Sequence, residues 1–580
     1  KQTLRDSKKA RWTALVILSF TMFAGYMFTE VISPLKPIME RSYGMNSSDF
    51  GFITSAYGIF NVFLFMLILV GIFLDKFGVR FSTITSALVM IAGGIIKYAA
   101  FKGLIGSADV TFTILTLQIT TQVFWAGFGF ALFGVGVEYA GITVSKSVAK
   151  WFKGKEMALA MGMQVAIARL GSFAPLAFGA KIADKYDVPT TILIVIVFLI
   201  LGLLGFFYYN TIDKKLDAQI EDEQSNSDED EFKISDLRVI IENRGFWLVA
   251  LLCVLFYSAV FPFYKYGPDL MVNKFGVSVK WAGLLPSLVP FGTMLLTPFF
   301  GSIYDKKGKG ATIMIIGAVL LILVHAIFYL PFIDSVVIAF FNVIILGIAF
   351  SLVPSAMWPS VPKIIPEKQL GSAFALIFWV QNFGLWGIPL LVGIVLNSTN
   401  PTIVPDKTLV SDSYSKAYVE VMGGSPFIGV KDAKGNVVDK NTIELFASNS
   451  SGDLVDKLIA EAPQEGVVEF DRKQMEDLIY SEIKVVINDF ISSVDRSKIN
   501  EFDEEKEILA LMELNEAAVN SAFEIVKEKK VKLNYDYQIT WTIFVALTFL
   551  ALIIAIWLKA EDKRKGYGLE LPNIKRQEEF

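Results

Sequence analysis

Twelve separate apolar runs, each long enough to cross about 30 Å of hydrocarbon, constrain this chain more than any other feature. They fall near residues 12–33, 50–74, 80–101, 116–145, 156–183 and 188–210, and again near 245–272, 282–304, 311–332, 336–357, 369–396 and 537–558. A polar stretch divides them six and six. At 54% hydrophobic residues and a mean hydropathy of +0.53, the chain lies outside the range of soluble globular proteins, which are about half apolar at most. The expected fold is an all-α membrane protein of twelve transmembrane helices in two six-helix halves.

The divisions follow from composition. An amino-terminal half is expected over 1–211, an acidic cytoplasmic linker over 212–243, helices seven to eleven over 244–397, and helix twelve with its tail over 537–580. The linker sequence DKKLDAQIEDEQSNSDEDEFKISD is too polar to bury a core. Residues 398–536 have soluble composition, with strand-like pieces and a Lys-Gly-Asn turn first and helix-period apolar positions after Ser451. A small α+β extracytoplasmic domain inserted between helices 11 and 12 is the expectation. Short loops rich in Lys and Arg stay cytoplasmic. The tail KQTLRDSKKAR and the loops holding Lys76 and Arg80, Lys146 to Lys155, and Lys306 to Lys309 are basic, so both termini are expected in the cytoplasm.

No initiator Met is present, so a few residues are expected ahead of Lys1. The single cysteine, Cys253, lies inside a span and excludes a disulfide framework. Neither a catalytic triad nor a metal cage is visible, so the reading is a non-enzyme without cofactor or metal. It interacts with the lipid bilayer and not with nucleic acid, and a monomer is expected.

Two intramembrane charges stand out. Glu138 in span four and Arg169 in span five are joined by a basic hairpin, and each costs roughly 2.5–3.5 kcal/mol at hydrocarbon depth on insertion scales. Glu138 shares a helix face with Gly134 and Gly141 by the i, i+3 and i+4 rule. Arg169 lies about 20 Å into its helix at 1.5 Å per residue, so the two charges can occupy one cavity. The plain alternative is an ion pair that only locks two helices together.

Further polar and aromatic candidates are Glu30, Tyr57 and Asn61 in the first half, and Tyr257, Trp358, Gln381 and Asn382 in the second. Tyr257 and Phe261 flank Pro262, where a membrane helix can bend. Glu30 is read either as a substrate or proton group or as a residue in water at the outer interface. Lys97 is expected to snorkel and Lys265 to reach water. His325, the sole histidine, is given a packing role.

The pattern Gly71, Asp75, Gly78 and Arg80 after span two returns as Gly301, Asp305 and Gly308 after span eight. A repeat of this kind indicates two related halves. A glycine permits close helix approach, an acid sits at the helix junction, and the second glycine turns the chain. The pair resembles the loop signature of the major facilitator superfamily, in which it belongs to the conformational switch. The resemblance makes these seven residues gating or structural.

Three longer segments, WFKGKEMALAMGMQVAIARLGS, FYSAVFPF and WPSVPKIIPEKQLGSAFALIFWVQNFGL, are similar to a family of lysosomal dipeptide transporters within that superfamily. The resemblance implies small zwitterionic peptides as substrate, moved as a uniporter by alternating access. It implies that Glu138 takes the terminal ammonium and Arg169 the carboxylate, which suits the guanidinium fork. Glu30 and Tyr257 fall where the family has an acid and a tyrosine. The large insertion departs from the family, and the amino-terminal tail has no acidic dileucine signal. Composition suits a bacterial inner membrane, with 398–536 periplasmic. The competing readings are a proton-coupled carrier of organic anions or drugs, and a receptor or scaffold acting through the insertion.

Overall fold

The computed structural model describes residues 3–114, 116–152, 155–224, 234–366, 369–423, 440–461, 471–493 and 504–572. The first half comprises α1 (Lys8–Glu30), α2 (Lys36–Tyr43), α3 (Ser47–Phe63), α4 (Met66–Phe101), α5 (Thr121–Trp151), α6 (Met157–Lys185) and α7 (Val188–Gln224). After α8 (Ile234–Glu242), the second half is built from α9 (Arg244–Phe275), α10 (Leu284–Lys307), α11 (Gly310–Tyr329), α12 (Val336–Ile364), α13 (Leu370–Thr399) and, after the insertion, α18 (Gln538–Lys565). Eleven of the described helices are long and apolar enough to span a membrane, or twelve when the bent pair α3 and the start of α4 counts as one.

That bend corrects the expected continuous second span. The helix breaks by 62° between Phe63 and Met66, with Phe65 in the left-handed region at φ 52°. Such a conformation costs roughly 1–2 kcal/mol in an L-residue. It is held from the other half: Phe65 stacks on Trp379 at 5.6 Å, and the Trp379 indole donates to the Val62 carbonyl at 3.0 Å, satisfying a group at the break. The turn expected at Gly78 is present, at φ 77° and ψ 171°.

Two further boundaries shift. The first residues of the region read as span four form β2 (Leu117–Thr120), which pairs antiparallel with β1 (Thr111–Ile114) just before it, Thr111 opposite Thr120. The linker begins later than expected, because α7 continues as helix to Gln224. Lys150 holds this extension through Asp213 at 2.8 Å and Asp217 at 2.6 Å. Residues 225–233 of the expected linker lie outside the described ones.

The described part of the insertion is helical: α14 (Ile403–Gly423), α15 (Lys440–Glu461), α16 (Arg472–Ser493) and α17 (Glu504–Glu528). No strand occurs among its described residues, which corrects the strand reading of Tyr418–Gly423 and of the residues from Lys440 onward; 424–439 lie outside them. Val421 and Met422 continue a buried helical stripe with Val410, Tyr414, Ala417 and Tyr418, so packing overrides local β-preference. Met475, Ile479, Ile483 and Ile487 form the matching stripe of α16.

The halves meet at the end that carries the insertion. There, Gly51 faces the Pro389 carbonyl and Gly393, Gly58 faces Asn382 and Trp386, and Gly283 faces the Leu176 carbonyl, at distances a side chain would block. At the opposite end, Gly71, Gly162, Gly301 and Gly371 meet nothing beyond their own helix backbone within 4 Å of where a Cβ would stand, among the described residues. The close helix approach expected at Gly71 and Gly301 is therefore not made, because the halves are apart at that end. Both described tails lie there too, the first through Asp6 to Lys155 at 2.8 Å and the last through Glu570 to the Lys309 amide at 3.0 Å.

Candidate functional site

Close helix packing positions the acid. Gly134 of α5 lies against the Tyr57 carbonyl of α3, closer than any Cβ would allow, as is common where small residues let membrane helices approach. Tyr57 then reaches Glu138, one turn along α5, and its hydroxyl donates to Oε1 at 2.7 Å. Both residues line a cavity between the halves that encloses about 850 Å³, open solvent at its mouth included.

Glu30, Gln381 and Asn382 line the same cavity, along with Tyr26, Thr29, Thr54, Ser172 and Lys265. Its apolar walls are Phe130, Phe261, Pro262, Phe378, Leu385 and Pro389. With ten polar and six apolar residues in its lining, the cavity is more polar than the usual small-molecule site.

Arg169 stands beside the cavity rather than in its wall. Its guanidinium lies over the Phe350 ring at 4.8 Å, and Phe350 packs edge-on against Phe261, a wall residue, at 5.6 Å. Ser172, on the same face of α6 one turn further, does line the cavity. No ion pair joins Arg169 to Glu138 among the described residues, so the helix-locking alternative has no support in the geometry.

Three other expected residues form a supporting layer. Tyr257 stacks on Phe261 at 5.2 Å and accepts from the Trp358 indole at 3.1 Å. Asn61 donates to Asn382 Oδ1 at 3.4 Å across the junction of the halves.

Two lysines depart from expectation. Lys265 is turned inward and not out to the interface: its ammonium meets Glu30 Oε2 at 2.8 Å and the Thr29 carbonyl at 2.5 Å. Glu30, 3% exposed, is accordingly a buried, paired acid and not an interfacial one. Lys97 does not snorkel either. It is wholly buried, its ammonium lies over the Phe130 ring at 3.7 Å, and Nζ has no hydrogen-bond partner among the described residues. Proximity to a span end misled both readings, since Lys97 is enclosed by Phe28 of α1 and Phe130 of α5, and Lys265 is held by Thr29 and Glu30 of α1. Phe130 was missed altogether; its position two turns before Glu138 on α5 was the available signal.

The gating set is only partly visible. Arg80 pairs with Asp217 of α7 at 3.4 Å, and the side chain of Asp75 lies outside the described residues. Gly308, at φ 68°, has the backbone of Leu571 and Pro572 where a side chain would stand. Asp305 precedes it near the end of α10. His325 stacks on Phe544 at 5.2 Å and is fully buried, as its packing role requires.

Two helical halves closing on a central cavity, with Glu138 in its wall and in no ion pair among the described residues, have the arrangement of a membrane carrier and not of an enzyme. The chain belongs to the Major Facilitator Superfamily, whose sequence profile matches residues 18–387. It is 28% identical over 400 residues to the human lysosomal dipeptide transporter MFSD1, covering 67% of this chain and 80% of that protein. The zebrafish (Danio rerio) protein of the same name is 26% identical over 398 residues, covering 67% and 81%. Among solved structures, a bacterial homolog of the human lysosomal transporter Spinster, inward-facing and occupied, shares the fold at a TM-score of 0.51 and 13% identity, covering 96% of this chain and 98% of that one.

Proposed function

We propose that this transporter moves dipeptides or similar small zwitterionic peptides by alternating access, as a monomeric uniporter. The observation that carries the reading is the pair Glu138 and Arg169: Glu138 lines the central cavity, Arg169 stands beside it over Phe350, and no ion pair joins them among the described residues. A peptide backbone brings the two charges that they lack. The carboxylate, steadied by Tyr57, takes the terminal ammonium, and the guanidinium takes the carboxylate bidentately. The lysosomal relatives named as dipeptide transporters support the substrate class.

The halves touch at the insertion end and stand apart at the basic-loop end, which in this reading is the state open to the cytoplasm. Basic loops and both tails share that end, so the insertion lies on the extracytoplasmic side of a bacterial inner membrane. Reconstituted vesicles test the reading. Uptake of labelled dipeptide that persists with a protonophore and saturates is expected. The second reading, a proton-coupled organic-anion carrier, draws support from Lys97, a buried amine with no hydrogen-bond partner among the described residues. Uptake that ignores dipeptides and collapses with the protonophore would favour it.

A further inference from the structure

The insertion is rooted in the second half. Its two ends, Asn400 and Asp536, exchange hydrogen bonds: the Asn400 amide donates to the Asp536 carbonyl at 3.1 Å, and the Asp536 N–H donates to Asn400 Oδ1 at 2.9 Å. From this root, between α13 and α18, α14 reaches the first half. Lys407 of α14 meets Glu40 Oε2 of α2 at 3.0 Å.

Glu40 belongs to a closed set of four charges. Lys36 of α2 pairs with Glu40, and also with Asp269 of α9 at 2.9 Å. Tyr537 donates to Asp269, and the Tyr535 ring faces both ammoniums, at 4.0 Å from Lys36 and 4.6 Å from Lys407. The four charged side chains are at most 1% exposed. Two ammoniums balance two carboxylates, and one ammonium comes from the insertion.

A second, outer set repeats the connection. Arg41 of the first half meets Asp456 of α15 at 3.5 Å. Lys280 of the second half meets Asp453 of α15 at 3.2 Å and Asp184 of the first half at 3.3 Å.

We propose that the insertion is a clasp: anchored on the second half and gripping the first, it holds the insertion end shut, and Lys407 completes the charge balance of the closed state. Parting the halves at this end separates Lys36 from Asp269 and Lys407 from Glu40. Removing one partner of a buried pair leaves an uncompensated charge and is strongly unfavourable. Without Lys407, Glu40 and Asp269 share the single ammonium of Lys36 in a site closed to water. Opening readmits water and relieves the excess carboxylate, so loss of Lys407 favours the open state.

The proposal rests on the alternating-access reading. Its test uses the full chain in lipid nanodiscs without ligand, spin-labelled at Tyr186→Cys and Phe332→Cys in a Cys253→Ser background. Both labelled sites are exposed, at 59% and 75%, one at the insertion end of each half. Pulsed dipolar spectroscopy is expected to give one short distance for the parent. Lys407→Met is expected to add a longer population, and Glu40→Gln with Lys407→Met, which leaves Lys36 balanced by Asp269, to return it towards the short one. A Lys407→Met distribution identical to the parent, or a double variant as open as the single, overturns the clasp. Should Lys407→Met not be recovered folded, Glu40→Gln replaces it, leaving two ammoniums against Asp269: opening supports the clasp and an unchanged distance overturns it. Whether dipeptide moves the parent distribution tests alternating access separately.

Discussion

Lys265 of α9 and Glu30 of α1 meet at 2.8 Å across the junction of the two halves, inside the cavity that also holds Glu138. The pair ties substrate space to closure, because the halves cannot part at this level without breaking it. With side chains 9% and 3% exposed, each partner depends on the other. Lys265→Met or Glu30→Gln alone is expected to destabilise by on the order of 3 kcal/mol, and the double variant to recover most of the loss. Thermal unfolding of the three variants checks this; additive losses would mean that the two charges are solvated independently.

Tyr57 orients the Glu138 carboxylate through one charge-assisted hydrogen bond of 2.7 Å. Hydrogen bonds to charged groups contribute about 1.5–3 kcal/mol. Tyr57→Phe is therefore expected to raise the dissociation constant for a dipeptide by roughly tenfold to a hundredfold, with the melting temperature of the unliganded protein nearly unchanged. Calorimetric titration reads it. An unchanged affinity would show that the carboxylate finds its ligand without the phenol.

Asp456 gives the clasp a pH dependence. Burial pushes its carboxyl up from 3.8 to about 7, outweighing Arg41 beside it, while Asp184 and Asp453 add to the rise and Lys280 opposes it. The docked value lies above the undocked one, so protonation favours docking. That contribution is complete below 3.8 and is lost as pH rises through about 7. Cross-half contact of α15, read from a spin label on α15 against one on α2, is expected to loosen between pH 5 and pH 8, and Asp456→Asn to flatten the response. A parent protein insensitive over that interval would contradict it.

Much of this architecture is legible in the sequence because bilayer physics leaves little choice. Apolar length fixes the spans, and the repeated glycine–acid–glycine pattern fixes the two halves. Charges at hydrocarbon depth point to Glu138 and Arg169, since few residues can be there without purpose. Less legible is anything set by long-range packing. Lys97 and Lys265 look like interfacial lysines until α1 and α5 pack around them, and Glu30 acquires a partner 235 positions away. The break at Phe65 carries no Gly or Pro; Trp379 of the other half holds it. Val421 and its neighbours have strand-like composition but lie in the buried face of α14, which packs on α15 and α16 of the insertion.

A thermal-shift titration against dipeptides, the same peptides acetylated or amidated at their ends, and organic acids tests the central claim most directly. A ligand at 100 times its dissociation constant stabilises by about 2.7 kcal/mol. Free dipeptides are expected to raise the melting temperature, each end-blocked form to lose most of the shift, and Glu138→Gln and Arg169→Lys each to abolish it while leaving the unliganded protein folded. A shift with organic acids but with no dipeptide, or a dipeptide shift that survives in both charge variants, would contradict the assignment of Glu138 and Arg169 as the two ends of a peptide site.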